Sequence, residues 1–209
     1  MQQIYLDNAA TTPVRPEVEE VMQPYFCEKY GNPSGIYKMA SECRQALETV
    51  RKQIGKTLKV SAEEIYFTSG GTESDNWAIK STAQRLKEKG KHIITSKIEH
   101  HAVLNSCAYL ETQGFEVTYL DVDEWGCVRF DALQRAIRKD TILISIMYAN
   151  NEVGTIQPIG QIGKIAKEND IFFHTDAVQA YGQIPIDVKR ENIHLLSASA
   201  HKFNGPKGV

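Results

Sequence analysis

Apolar residues fall along this chain in two alternating rhythms. Short runs dense in Val, Ile, Leu, Phe and Tyr occur at Glu64–Thr68, His92–Thr95, Val117–Leu120, Ile142–Met147, Ile171–His174 and His194–Ser197. Several are nearly continuous, which predicts strands covered on both faces, the setting of a parallel sheet. Between them apolar positions recur every three or four residues: Ile79, Ala83 and Leu86; Leu133, Ala136 and Ile137; Ile159, Ile162 and Ala166. That spacing lays one apolar stripe along a helix. Two more helices are predicted before the first strand, one carrying Val18, Val21, Met22 and Tyr25, the other Cys43, Leu47, Val50 and Ile54. The turn-forming stretch Tyr30–Gly35 separates them. Strand and helix in repeated alternation predict an α/β fold: a mostly parallel, doubly wound sheet with helices on both faces and right-handed crossovers. No internal repeat or low-complexity tract interrupts it.

Composition narrows the classes without choosing among them. The 209 residues allow one large domain, or one domain and part of another. A net charge of −2, with no basic run interleaved with aromatics, gives nucleic acid no footprint. No charged start followed by an apolar stretch suggests a signal peptide, and no apolar run approaches the ~20 residues of a membrane helix. The four cysteines, Cys27, Cys43, Cys107 and Cys127, show no C-x-x-C spacing. Zinc-ribbon and redox-pair readings therefore fail, and a cytoplasmic protein with free thiols is expected.

In an open α/β sheet, ligands sit beyond the carboxyl ends of the strands, so the loops that follow the strands carry the chemistry. After the first run comes TSGGTESDN, with Gly70, Gly71 and Thr72 opening a helix. Glycines let a backbone approach an anion, and free N–H groups at a helix start point toward it; the alternative is a turn with Thr72 as helix cap and Ser74 and Asp75 favouring the dipole. No Gly-Lys-Ser/Thr closes it, so it is not a nucleotide P-loop. After the second run comes EHHAV: His100 can stack on a flat ring or shuttle protons, or simply begin a helix. Glu99, His100 and His101 do not make a metal site, because no third ligand recurs at useful spacing. The fourth loop carries Asn150 and Asn151, and the fifth Asp176 and Gln179. A carboxylate after the apolar run IFFH is costly to bury unless a cation pairs with it or it caps the next helix. The sixth loop holds Ser199, His201 and Lys202, the last a candidate Schiff-base lysine. An anion cradle, a carboxylate, a ring neighbour and a lysine at one end of one sheet suit pyridoxal 5'-phosphate, which uses all four.

Seven motifs occur in order: YLDNAATTP (Tyr5–Pro13), GNPSG (Gly31–Gly35), FTSGGTESDN (Phe67–Asn76), EHHAVL (Glu99–Leu104), NNEVGTIQP (Asn150–Pro158), DAVQA (Asp176–Ala180) and SAHKFNGPKGV (Ser199–Val209). Together they closely resemble the cysteine desulfurases, pyridoxal-phosphate enzymes of the class V aminotransferase-like type with a fold type I architecture. The form HKFNGPKG looks like the branch serving iron–sulfur cluster assembly. Where members often have His and Gly after the GNPS turn, this chain has Tyr37 and Ala40.

The resemblance implies a set of roles. Lys202 would bond the cofactor covalently, and Gly71 and Thr72 would hold its phosphate with Ser199 and His201. His100 would stack on the ring and move protons, and Asp176 would pair with the ring nitrogen. Gln179 would reach the phenolic oxygen, and Asn151 the region of the substrate carboxylate. It also implies L-cysteine as substrate, L-alanine and a persulfide as products, a homodimer, and iron–sulfur scaffold or sulfur-acceptor proteins as partners. Residues 1–15 would join a small domain, and residues 16–209 would be an incomplete cofactor-binding large domain. Members run considerably further, so the last strand, the small domain, a substrate-binding arginine and the persulfide cysteine are expected elsewhere. A selenocysteine lyase or aminotransferase on the same cofactor, or a non-catalytic remnant, are the alternatives.

Overall fold

The computed structural model describes residues 4–209. The described helices are α1 Pro16–Met22, α2 Pro24–Cys27, α3 Lys38–Leu58, α4 Gly71–Leu86, α5 His101–Thr112, α6 Phe130–Ala136 and α7 Ile159–Glu168. The strands are β1 His92–Ser96, β2 Glu116–Leu120, β3 Thr141–Ser145, β4 Phe172–Asp176 and β5 Leu195–Ser197. All pairings are parallel, in the order β2–β1–β3–β4–β5.

Side-chain alternation along the strands builds two cores, one on each face of the sheet. Ile94, Ile144 and Phe173 stand in one register row and meet Leu133 of α6 and Ile162 and Ala166 of α7. Ile93 and Leu143 face the other way, against Ile79 and Ala83 of α4 and Val103, Cys107 and Leu110 of α5. The helical stripes read from spacing are thus the surfaces that cover the sheet. Two steps further along, the α4 side of the sheet turns polar: Thr95, Ser145 and His174 share a row, and Ser197 follows on β5. All four are buried.

Three local expectations need correction. The run Glu64–Thr68 is not a strand: Ala62–Glu64 form a 3-10 turn and the residues after it join no ladder among the described residues. Ile65 has extended dihedrals, but extended backbone becomes a strand only beside a neighbour to bond. The first predicted helix is two, because Pro24 has no N–H to continue the ladder; α2 restarts at it. Ile137 lies beyond the end of α6 with extended dihedrals. At the start of α3, Tyr37 holds the cap position without a side-chain bond, and Ala40 is fully buried. Among the described residues no helix is long and apolar enough to cross a membrane.

Candidate active site

The carboxyl ends of β1, β3, β4 and β5 open into one cleft of ≈ 410 Å³. Gly71, Thr72, His100, Asn151, Asp176, Gln179, Ser199, His201 and Lys202 all line it. The carboxyl ends of four strands and the start of α4, which follows no strand, bring these residues together from 132 positions of chain; for the strands, parallel order delivers their carboxyl ends to one edge.

One wall is the start of α4. Gly70, not Thr72, is the cap residue, with φ 136° and ψ −179°, a conformation open to glycine. A Cβ on Gly71 would sit 2.7 Å from a methyl of Val178, so the helix start and the loop after β4 touch only because residue 71 has no side chain. The N–H groups of Gly71, Thr72 and Glu73 find no acceptor among the described residues, while Glu73 accepts the N–H of Ser69. Unpaired donors at the positive end of a sixteen-residue helix favour an anion. The buried Ser199 hydroxyl lies across from them and donates to the Val209 carbonyl at 3.1 Å.

The floor is acidic. Asp176 ends β4 and is 5 % exposed; its Oδ1 accepts the Val178 N–H at 2.9 Å, and no helix follows it to cap. Burial raises its pKa, against the pull of that N–H, His100 and Lys202. His100 caps α5 by accepting the Ala102 N–H on Nδ1 at 3.1 Å. With Nδ1 accepting, the ring N–H lies on Nε2. Asn150 folds inward, donating to Ile98 O and accepting from Glu152 and Val153 N–H, and so presents Asn151 to the cleft.

The lysine wall meets the start of the chain. Lys202 Nζ donates to the carbonyls of Ala9 and, at 3.1 Å, Ala10. Gln179 donates to the same Ala9 carbonyl at 2.9 Å, and His201 Nδ1 lies 3.1 Å from the Thr11 hydroxyl. Burial lowers the pKa of Lys202, with Asp176 and Asp7 opposing. A lowered amine pKa raises the share of unprotonated, nucleophilic lysine. Sequence reasoning missed Asp7, Ala9 and Ala10 as lining residues, and it gave Asp75 only a helix-dipole role. A backbone carbonyl carries no sequence signal, although the LDNAATT stretch itself was visible.

The aminotransferase class-V family matches residues 4–209. The chain belongs to that family. Over 205 residues it is 64% identical to a cysteine desulfurase IscS of Methanosarcina thermophila, covering 98% of this chain and 51% of that protein. Among solved structures, a NifS-like protein superposes with TM-score 0.96 at 44% identity, over 99% of this chain and 57% of its own. SspA, solved in complex with cysteine, gives TM-score 0.96 at 46% identity, over 99% of this chain and 59% of its own. The chain spans about half the length of the curated relatives it matches.

Class-V cysteine desulfurases depend on pyridoxal phosphate, and this cleft fits that group chemically. The unpaired donors at the α4 start suit its phosphate, the buried Asp176 lacks a bonded cation that a protonated ring nitrogen would supply, and the partly buried Lys202 amine suits its aldehyde. None of Cys27, Cys43, Cys107 and Cys127 lines the cleft. Cys107 is fully buried, and burial pushes its thiol up to about 12, far from a reactive thiolate.

Proposed function

We propose that these 209 residues form the cofactor-binding part of a cysteine desulfurase, an enzyme that takes sulfur from L-cysteine, leaves L-alanine, and passes the sulfur on for iron–sulfur cluster assembly. The observation that carries the reading is the convergence of a helix start with free donors, a buried aspartate, an imidazole and a lowered-pKa lysine in one cleft of a class-V chain. The relatives' names and the cysteine complex of SspA support the substrate.

In this reading Lys202 anchors the cofactor through its amine, and Gly71, Thr72, Ser199 and His201 bind the phosphate. When bound, pyridoxal phosphate supplies an electron sink for the pair left on the substrate α-carbon. Asp176 holds the proton on the ring nitrogen. His100, which lines the cleft, would lie against the ring and move a proton at Nε2. Gln179 orients the phenolic oxygen, and Asn151 lies toward the substrate carboxylate. The overall transfer balances: a cysteine thiol of the enzyme and free cysteine give an enzyme persulfide and alanine. That thiol is none of the four cysteines here; residues 16–209 are proposed as an incomplete large domain, and residues 1–15, of which 1–3 lie outside the described residues, as a segment joining a small one. A homodimer in the cytoplasm, delivering to scaffold or acceptor proteins, completes the proposal.

The test has two parts. With pyridoxal phosphate, the protein should gain an absorption band that borohydride abolishes, and Lys202→Ala should lack it; a Lys202→Ala protein with a reducible covalent cofactor overturns the lysine's role. The 209-residue chain given cofactor, cysteine and a thiol reductant should release no sulfide above the Lys202→Ala control, because no cysteine stands within attack distance of the site. Matched amounts of sulfide and alanine above that control would return one of the four cysteines to the mechanism.

A further inference from the structure

Asp75 lies on α4, one turn in from its start, and lines the floor of the cleft. It is 1% exposed, and its Oδ1 has no hydrogen-bond partner among the described residues. An unsatisfied buried carboxyl oxygen is costly, so its presence asks for a reason. His174 Nε2 stands 3.6 Å from it, too far for a hydrogen bond. Nor does His174 answer with charge. It is fully buried, its two nitrogens meet the Ser145 and Ser197 hydroxyls at 2.8 and 3.1 Å, and burial pushes its pKa down to about 3.

Asp176 stands differently toward charge. It has the Val178 N–H, and Lys202 and His100 beside it also favour its ionised form. Asp75 has only the Ser197 hydroxyl on that side, while burial and the charge of Asp176 push its pKa up to about 8. Glu99, from the loop after β1, adds a third acid. Its Oε1 accepts from Ser96 and the Met147 N–H, its Oε2 is unpartnered, and burial pushes it up to about 8. The groups that face Asp75 are then His174 and Asp176 from β4, Ser197 from β5 and Glu99, with His100 and Lys202 beyond Asp176. Neighbouring carboxyls in a dry site do not all ionise; the best-supported one takes the charge.

We propose that Asp75 is a positioning residue for Asp176: set against His174 on the cleft floor, it keeps the proton of the carboxyl pair and leaves Asp176 to bear the charge that meets the ring nitrogen. This rests on the reading in which pyridoxal phosphate occupies the cleft. It goes beyond that reading in giving the acid pair a division of labour. In the working range Asp75 is neutral and does not compete with Asp176. When the solution turns alkaline it ionises, and the added negative charge tightens the hold on the ring proton.

The experiment uses the full-length protein loaded with pyridoxal phosphate carrying ¹⁵N in the ring. Asp75→Asn keeps the side-chain shape and removes the titrating group. At pH 7 the unaltered protein should show an infrared C=O stretch of a protonated carboxylic acid that Asp75→Asn removes, with the ring nitrogen protonated in both. As pH rises, the ring nitrogen of Asp75→Asn should lose its proton about one pH unit earlier, a tenfold weaker hold, as expected when a nearby negative charge is removed. An unchanged infrared band or an unchanged midpoint overturns the proposal. A second measurement needs no variant: with ¹³C-labelled aspartate carboxyls, the cofactor-free protein should contain one that titrates near pH 8. If all of them finish titrating below about pH 6, the proposal falls. An unaltered protein that takes up no cofactor, or an Asp176→Asn change that leaves the ring signal unmoved, overturns this inference and the reading beneath it together. An effect of Asp176→Asn without one of Asp75→Asn overturns the inference alone.

Discussion

The sheet buries a histidine at each end, and the two are treated differently. At the amino end His92 is fully buried, and its ring nitrogens meet the Thr141 and Thr118 hydroxyls at 2.7 and 2.8 Å. The acids nearby, Glu116 and Asp140, are paired by Arg138 at the surface. At the carboxyl end His174 is equally buried and also held by hydroxyls, but the acids around it are not paired. Asp75 and Glu99 each keep an oxygen without a partner, and Asp176 has one backbone donor and no bonded cation. Polar groups buried for structure are satisfied in place. Those at the carboxyl end are satisfied only in part, and an opening of ≈ 410 Å³ lies over them. The contrast separates a structural end from a chemical one with no reference to relatives.

The largest effect should come from the acid that the cofactor would complete. Asp176→Asn removes the charge that, in the proposed function, would hold the ring nitrogen protonated, while keeping the side-chain shape. If the proposed function holds, the full-length protein with this change should retain cofactor and lose turnover by about 100-fold or more, as removal of a positioned proton-holding group does. Steady-state alanine formation, with cofactor content measured beside it, checks this; near-normal turnover would remove Asp176 from the mechanism.

Glu99 sharpens the same contrast through stability. Its carboxyl is pushed from 4.5 up to about 8 by burial, so the folded chain binds a proton that the unfolded chain has released. A raised carboxyl pKa means that stability falls as pH rises from about 4.5 through about 8, and is unaffected by this group below that window. The slope from one such group is at most about 1.4 kcal/mol per pH unit. Glu99→Gln leaves an oxygen for the Ser96 hydroxyl and the Met147 N–H and has nothing to ionise. Thermal melts at pH 5 to 9 should therefore decline less steeply for Glu99→Gln, the gap widening up to about pH 8. Parallel melting curves would mean that Glu99 is ionised in the fold.

Much of this was legible in the sequence because strand runs and loop residues are local signals. The five paired strands follow apolar runs, and seven of the nine expected site residues lie at or just beyond strand ends that a parallel sheet sends to one edge, while Gly71 and Thr72 open α4. What failed was whatever depends on a neighbour. Residues 65–68 have the composition of a strand, and Ile65 the dihedrals, but no partner to bond among the described residues. The apolar stripe of α1 and α2 predicted helices correctly, yet Val21, Tyr25 and Phe26 stay exposed because spacing says nothing about what covers a face. Asp75 looked like a residue favouring a helix dipole; only the packing of α4 against β4 and β5 puts it beside His174. The carbonyls of Ala9 and Ala10 that receive Lys202 belong to the backbone, which any residue supplies.

The smallest effect expected is at the satisfied end, and it should touch stability alone. His92 carries its interactions within the sheet: its ring joins Thr141 of β3 to Thr118 of β2, and its own N–H donates to the Asp140 carbonyl. In His92→Leu the backbone bond survives and the ring's volume is largely refilled. The Thr118 hydroxyl loses its ring partner; Thr141 keeps the Arg138 N–H, which it accepts at 2.8 Å. Leaving the half-buried Thr118 hydroxyl without its ring partner and the buried Thr141 hydroxyl with one fewer costs about 1–3 kcal/mol, which for a chain of this size is a fall in melting temperature of roughly 2–12 °C. Burial lowers the His92 pKa, so the ring is neutral at pH 7 and no buried charge is lost with it. Cofactor uptake and the borohydride-sensitive absorption should match the unaltered protein, since His92 sits at the other end of the strand from the cleft. A His92→Leu protein that melts normally but binds cofactor poorly would erase the distinction between the two ends.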